Sequence, residues 1–322
     1  MISVSVVIPL YNKGPHVART IQSVLNQTEQ NFEIIVVDGR STDEGPKIVK
    51  SFGDPRILFF AQVGSGVSSA RNEGISHSRS NFIAFLDADD EWMPDHLETL
   101  LRLREAHPEA GAYTTAYLVN CPNTGTKMAN FHAIPGKPWE GLIPSYFQSA
   151  ALGSPPVWTS VVGIPKQILE DKGGFNTDTW WGEDSDLWGR IALKYPIAFS
   201  WEGIGIYHMD ASNRACNRTE PVEENIFVHT AKEAIEVGEV LPQMQEDLLE
   251  YVARKHLETA WLNLQAQNPK LARTNLKKCV TKGLVRQKYW AFFWAYVPPK
   301  GYMVARDLKN NFIKMFNRKG MP

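Results

Sequence analysis

Near-continuous apolar runs of strand length alternate with helix-length patterns through the first 120 residues, and this alternation constrains the fold more than any other feature. "SVSVVIP" (3–9) precedes a stretch in which Val17, Ile21, Val24 and Leu25 recur at helical spacing. "FEIIVVD" (32–38), "ILFFAQ" (57–62) and "NFIAFLD" (81–87) follow, with a polar turn and short helix, "GVSSARNEGISHS", and a helix opened by Pro94 in the intervals and after. Strands that are apolar on both faces and flanked by helices require a largely parallel sheet covered on both sides. The expected class is therefore α/β. In such sheets, ligands bind beyond the carboxyl ends of the strands. Three strands here end in polar clusters: Pro9, Tyr11 and Asn12; Asp38 through Asp43; and Asp87 through Asp90. All three clusters are expected on one side of the sheet.

Further along, residues 120–156 are rich in Pro, Gly and Asn and read as an irregular excursion. A strand pair is expected over 197–208. From about 223 the pattern is helical, with Leu249, Val252, His256, Ala260, Trp261 and Leu264 on one face. The division expected is a domain over 1–222, split near 119 into two halves, and a helical region over 223–322.

Composition excludes several classes. A formal net charge of −1 gives no reason to expect nucleic acid. Cys121, Cys216 and Cys279 are far apart and read as reduced thiols. The N-terminus lacks a secretory layout, and no apolar run approaches the roughly 20 residues that span a bilayer, so a cytoplasmic protein is expected. Charge is uneven, however. Residues 283–322 carry eight basic side chains against Asp307, interleaved with aromatics including Trp290, Phe292, Phe293 and Trp294. Such a tail can lie on an anionic membrane surface as a peripheral contact, or pack its aromatics onto the preceding domain.

The chemistry sits in the polar clusters. Asp87 and Asp89, two apart at a strand end, can divide a ligand and a divalent cation (Mn²⁺ or Mg²⁺) between them, since hard cations take carboxylate and phosphate oxygens; a solvated turn is the alternative. Asp90 and Glu91 are assigned to the turn and the following helix. In "WWGEDSD", Gly182 allows close backbone approach, and Asp184 can act as a general base or complement a helix dipole. Asp186 suits the dipole role. Tyr11 can stack on a nucleobase, Asp38 can accept a base N–H, and Arg71 can meet a diphosphate; each is also ordinary turn or helix-surface chemistry. "GSG" at 64–66 lacks the glycine spacing of a dinucleotide fingerprint, which argues against an oxidoreductase. "PLYNKGPH" after the first strand lacks the glycine-rich basic loop of a sugar nucleotidyltransferase.

Taken in order, "VSVVIPLYN", "FEIIVVDGRSTD", "GVSSARNEGI", "FLDADDEW" and "WWGEDSDLWGRIA" resemble the family 2 glycosyltransferases and their GT-A fold, over residues 3 to about 195. The resemblance implies an inverting transfer of a hexosyl or N-acetylhexosaminyl group from a UDP-sugar to an acceptor hydroxyl in polysaccharide or glycoconjugate synthesis. It implies Asp89 as metal ligand, Asp87, Pro9, Tyr11, Asn12, Asp38, Arg71 and Glu183 around the nucleotide sugar, and Asp184 as catalytic base. His208 falls where some relatives place a further metal or diphosphate contact; a core histidine is the alternative. The chain departs from the family where Asp38-Gly39-Arg40-Ser41 replaces Asp-Asp-Gly-Ser. A glycan or lipid-linked acceptor is expected. The competing class is a non-catalytic relative that binds a sugar nucleotide, against which the intact Asp87, Asp89 and Asp184 argue.

Overall fold

The strands β1 (Val4–Leu10), β2 (Phe32–Asp38), β3 (Ile57–Ala61) and β4 (Phe82–Phe85) pair in parallel, in the order β3-β2-β1-β4. They come from a computed structural model, which describes residues 2–211, 214, 218–298 and 301–302. Helices α1 (Gly14–Leu25), α2 (Gly45–Ser51) and α3 (Gly66–His77) connect them. Side chains alternate across a strand, and the two faces of β1 and β2 sort into separate cores. Val6, Ile8, Ile34 and Val36 join Val17, Ile21 and Val24 of α1 on one face. Val7, Ile35 and Val37 join Ala70 and Ile75 of α3 on the other. Each such buried branched side chain contributes about 1.5–3 kcal/mol. Gly74 lets α3 lie close on the sheet, because a Cβ there would sit 2.3 Å from a methyl of Val7.

The chain continues through β5 (Glu91–Trp92), α4 (His96–Ala106), β6 (Ala112–Cys121), β7 (Gly125–Met128), β8 (Glu140–Leu142), α5 (Tyr146–Leu152), β9 (Val162–Pro165), α6 (Lys166–Asp171), α7 (Glu183–Ala192) and β10 (Ile197–His208). Beyond β4 the sheet runs β9-β6-β10-β5. Here β9 is antiparallel to both neighbours, while β10 is parallel to β6. Two expectations change. Residues 120–156 are not an irregular excursion throughout: β7 folds back on β6 as a hairpin, β8 pairs with β10, and α5 follows. Residues 197–208 form one strand, not a pair. Its register against β6 shifts between Ser200 and Gly205, where Gly203 has φ +64°.

Among the described residues, helices α8 (Ile226–Glu236), α9 (Gln245–Gln265), α10 (Pro269–Lys278) and α11 (Val285–Tyr296) follow. Core packing runs through residue 222. Phe227, Ala231, Leu248 and Tyr251 belong to the same cluster as Phe147, Leu187 and Phe199, and a separate helical core begins at Ala253. On α9, Leu249 is exposed and Leu248 takes the core position. Cys121 and Cys279 are free, while Cys216 lies outside the described residues.

Candidate active site

Because β1, β2 and β4 run parallel, their carboxyl ends meet at one edge of the sheet, as expected from the sequence. The β1–β4 pairing ends near Val7, where Leu86 N–H donates to its carbonyl, so Pro9 withholds no ladder hydrogen bond. The loops after β1 and β2 are stapled together. Asn12 N–H donates to Ser41 Oγ (2.9 Å) and Thr42 N–H donates to Asn12 Oδ1 (2.8 Å). Asn12 (φ 50°) and Arg40 (φ 65°) occupy the left-handed region, which costs non-glycine residues about 1–2 kcal/mol each. One carboxylate also caps two helices: Asp43 accepts from Gly14 N–H at 2.7 Å and Gly45 N–H at 3.0 Å. Tyr11 is left 57% exposed beside this frame. Asp38 is buried and, among the described residues, accepts only long contacts, at 3.3 Å to each oxygen, from Ser41 N–H.

The acidic turn after β4 divides its carboxylates among different partners. Asp87 takes Arg71 Nη2 at 2.9 Å, and Asp89 takes Lys13 Nζ at 2.6 Å. Asp90 was assigned to the turn and following helix, but it reaches across the sheet. It accepts from Ser160 Oγ (2.7 Å) and from His208 N–H (3.0 Å), and so ties β4 to β10. Burial, with Asp89 and Asp87 adjacent, pushes the Asp90 carboxyl well above the usual range. Glu91 pairs with Arg19 Nε at 3.2 Å and with His208.

The His208 ring lies between Asn120 and Glu91. Its Nδ1 accepts from Asn120 Nδ2 (3.1 Å), so its Nε2–H donates to Glu91 (3.1 Å). Both ring nitrogens are therefore engaged. Burial and Arg19 lower its pKa against the pull of Glu91.

The second acidic element opens α7. Gly182 has φ +82°, and a Cβ there would lie 2.4 Å from Asn225 Nδ2, so glycine is required twice over. Asp186 is structural, accepting from Arg190 Nε (2.8 Å) and from Thr230 Oγ1 (2.6 Å) on α8. Asp184 is half-buried, and its Oδ1 takes Ser185 N–H at 2.5 Å. Glu183 faces Arg71 Nη1 at 3.2 Å. Burial and Asp184 push the Glu183 carboxyl up to about 7, with Arg71 opposing.

Arg71 is the joint of the site. It is 4% exposed, lies over the Phe175 ring at 5.1 Å, and holds Asp87 and Glu183 in one grip. Burial opposes its charge, but these carboxylates more than offset that. Sequence reasoning placed Arg71 at a diphosphate and missed this bridge. It also missed Lys13, Arg19 and Ser160, which carry no motif of their own. Among the described residues, no three His, Cys, Asp or Glu side chains are grouped to hold a metal ion. Asp89 nonetheless fits a hard cation: its carboxylate already holds one, the Lys13 ammonium, and one or two carboxylates suffice where phosphates supply the remaining oxygens.

A helix-flanked parallel half-sheet ending in Asp87-Ala88-Asp89, joined by Arg71 to the Glu183-Asp184 helix start, defines the GT-A fold. The family model for glycosyl transferase family 2 matches residues 5–165, half of the chain, and the chain belongs to that family. It is 31% identical over 192 residues to an uncharacterized glycosyltransferase of Rickettsia bellii, a match covering 59% of this chain. That match covers 26% of the relative, and two further Rickettsia relatives are covered to 31%, so the chain spans about a quarter to a third of their length. Among solved structures, S. aureus TarS 1-349 in complex with UDP-GlcNAc superposes with a TM-score of 0.66 at 15% identity, covering 99% of this chain and 92% of that one. A mannosyltransferase of Pyrobaculum calidifontis in complex with GDP-Man and Mn²⁺ gives 0.59 at 20% identity, covering 97% and 87%. These two likenesses show the fold.

Proposed function

We propose that the chain is an inverting glycosyltransferase that moves a sugar from a nucleoside diphosphate sugar, a UDP-sugar by preference, to an acceptor hydroxyl in glycan synthesis. The observation that carries this reading is the Arg71 bridge, which joins the Asp87-Ala88-Asp89 turn to the Glu183-Asp184 helix start. Tyr11 offers an exposed ring for the base, and Asp38 has acceptor capacity to spare for a base N–H. Asp87 and Arg71 border the ribose and diphosphate. Asp89 would hold a divalent ion, which when bound offsets the charge building on the departing diphosphate. Asp184 takes the proton of the acceptor hydroxyl as that oxygen bonds to the anomeric carbon. The bond from carbon to diphosphate oxygen breaks on the opposite face, its electron pair leaving with the diphosphate. One displacement inverts the anomeric centre. The nucleotide sugars named with TarS and with the Pyrobaculum enzyme, and the Mn²⁺ of the latter, support this choice of donor class and cation.

A panel of UDP- and GDP-sugars with Mn²⁺, followed by nucleotide release with water as acceptor, tests the reading. One donor is expected to turn over, and Asp89→Asn to slow it by roughly a hundredfold or more, the scale of losing one preorganised charge stabiliser. No release from any donor that binds would overturn catalysis and favour a sugar-nucleotide-binding protein.

The acceptor proposed is lipid-linked, reached from an anionic membrane surface. Tyr289, Trp290, Phe293 and Tyr296 are exposed along α11, with Trp290 and Phe293 stacked at 5.6 Å. Phe292 and Trp294, named with them from the sequence, pack on the helical core instead. Residues 303–322, which carry much of the basic charge, lie outside the described residues. Among the described residues no helix is long and apolar enough to cross a membrane. Replacing the four exposed aromatics by serine is expected to abolish co-flotation with phosphatidylglycerol vesicles. Unchanged flotation would remove this surface from the reading.

A further inference from the structure

Both carboxylates of the Asp87-Ala88-Asp89 turn are already neutralised by the chain itself, and the two cations that do so are unlike. Arg71 is fixed: it is 4% exposed, held by two carboxylates and stacked on Phe175. Lys13 reaches Asp89 from the end of a flexible four-carbon stem, with Nζ 2.6 Å from Oδ2, and the two side chains are 12% and 10% exposed. Among the described residues this is its one ion pair. An ammonium on such a stem is a point charge that can turn to a new anion at little cost, whereas a stacked guanidinium cannot.

We propose that Lys13 is a displaceable counter-ion of Asp89, which yields the carboxylate to a divalent cation and turns to the nucleoside diphosphate that arrives with it. This rests on the reading above that Asp89 takes the cation. A cation arriving alone must eject Lys13 and leave an ammonium with little solvent and no partner. A cation arriving with a diphosphate offers Lys13 anionic oxygens beside the carboxylate it leaves. The two ligands therefore bind with positive coupling, and Lys13 is the element whose two positions carry it. Arg19 remains through the exchange, because its Nη2 holds the Asp89 carbonyl (2.7 Å) and its Nε holds Glu91 (3.2 Å). The turn thus keeps its shape while one carboxylate changes partner. Lys13 is a positioning residue in this scheme and transfers no proton.

The test is Mn²⁺ binding, read from the electron paramagnetic resonance of free Mn²⁺, on the full chain with and without UDP. Wild type is expected to bind Mn²⁺ weakly alone and at least tenfold more tightly with UDP. Lys13→Met should bind Mn²⁺ alone about tenfold more tightly than wild type, the worth of one charge-assisted hydrogen bond no longer competing. The UDP enhancement should shrink by a similar factor. Lys13→Gln should move both quantities in the same direction, so the test survives one misfolded variant, and thermal melts show which variants are folded. Mn²⁺ affinity unchanged or weakened in both folded variants, or coupling unchanged, would overturn the proposal and leave Lys13 a static ion pair. Asp89→Asn separates the two readings: if it binds Mn²⁺ as wild type does, the assignment of Asp89 fails; if it loses Mn²⁺ while the Lys13 variants behave as wild type, only the exchange fails.

Discussion

Asp184→Asn is expected to cut donor turnover about a thousandfold, within the range a positioned general base contributes. The substitution keeps the shape of the helix start. An asparagine Oδ1 can still accept from Ser185 N–H, and Gly182 still turns the chain into α7. It removes the lone pair that would take the acceptor proton. Donor affinity should change by less than about twofold, because Arg71 and Asp87 keep their partners and an interaction made only in the transition state lowers turnover without weakening binding. Turnover with saturating donor and Mn²⁺, beside donor binding by calorimetry, checks both halves. A variant that keeps a tenth of wild-type turnover would move the base elsewhere, and Glu183 would be the neighbour to examine.

The parallel half of the fold was legible because both faces of β1, β2 and β4 are buried, and burial on both faces writes an unbroken apolar run. The edge of the second half left no such trace. Residues Gly125–Met128 form β7 while mostly exposed, so nothing in their polarity alternates. The strand pair expected over 197–208 is the single strand β10, whose register against β6 slips between Ser200 and Gly205 around Gly203 while pairing resumes at Gly205.

The site shows the same division between local and distant information. Carboxylates adjacent in sequence, Asp87 with Asp89 and Glu183 with Asp184, could be found because chemistry at one strand end or helix start is written within a few residues. Their partners are distant. Lys13 lies 76 residues from Asp89, Glu183 lies 112 from Arg71, and His208 lies 118 from Asp90. Those pairings follow from which strands are neighbours in the sheet, which local pattern does not state. Asp90 is the instructive case. It reads as the most ordinary acid of its turn, yet it is 1% exposed and joins two strands through Ser160 and the His208 backbone.

The bridge itself makes the strongest demand on stability. Arg71→Met is expected to destabilise the fold by about 2–3 kcal/mol at pH 8, somewhat below the 3–5 kcal/mol typical when one partner of a buried ion pair is removed. Two features lower the cost: Asp87 is 28% exposed and keeps some water, and Glu183 can neutralise itself by taking a proton. The second feature gives the deficit a pH dependence. The Glu183 carboxyl stands at about 7 against 4.5 for an unperturbed one, and without Arg71 it rises further. A carboxyl raised in the folded state binds more protons folded than unfolded, so its contribution is complete below about 4.5 and is lost as pH rises through the folded value. The Arg71→Met deficit should therefore be smaller at pH 6 than at pH 8. Glu183→Gln added to Arg71→Met should recover about 1 kcal/mol at pH 8, because it removes the buried charge that Arg71 no longer answers. Urea unfolding of the two single variants and the double variant at both pH values closes the cycle. Equal deficits at pH 6 and pH 8, with no recovery in the double variant, would mean that the guanidinium supports the site through its packing on Phe175, and that the ion pairs with Asp87 and Glu183 add nothing to it.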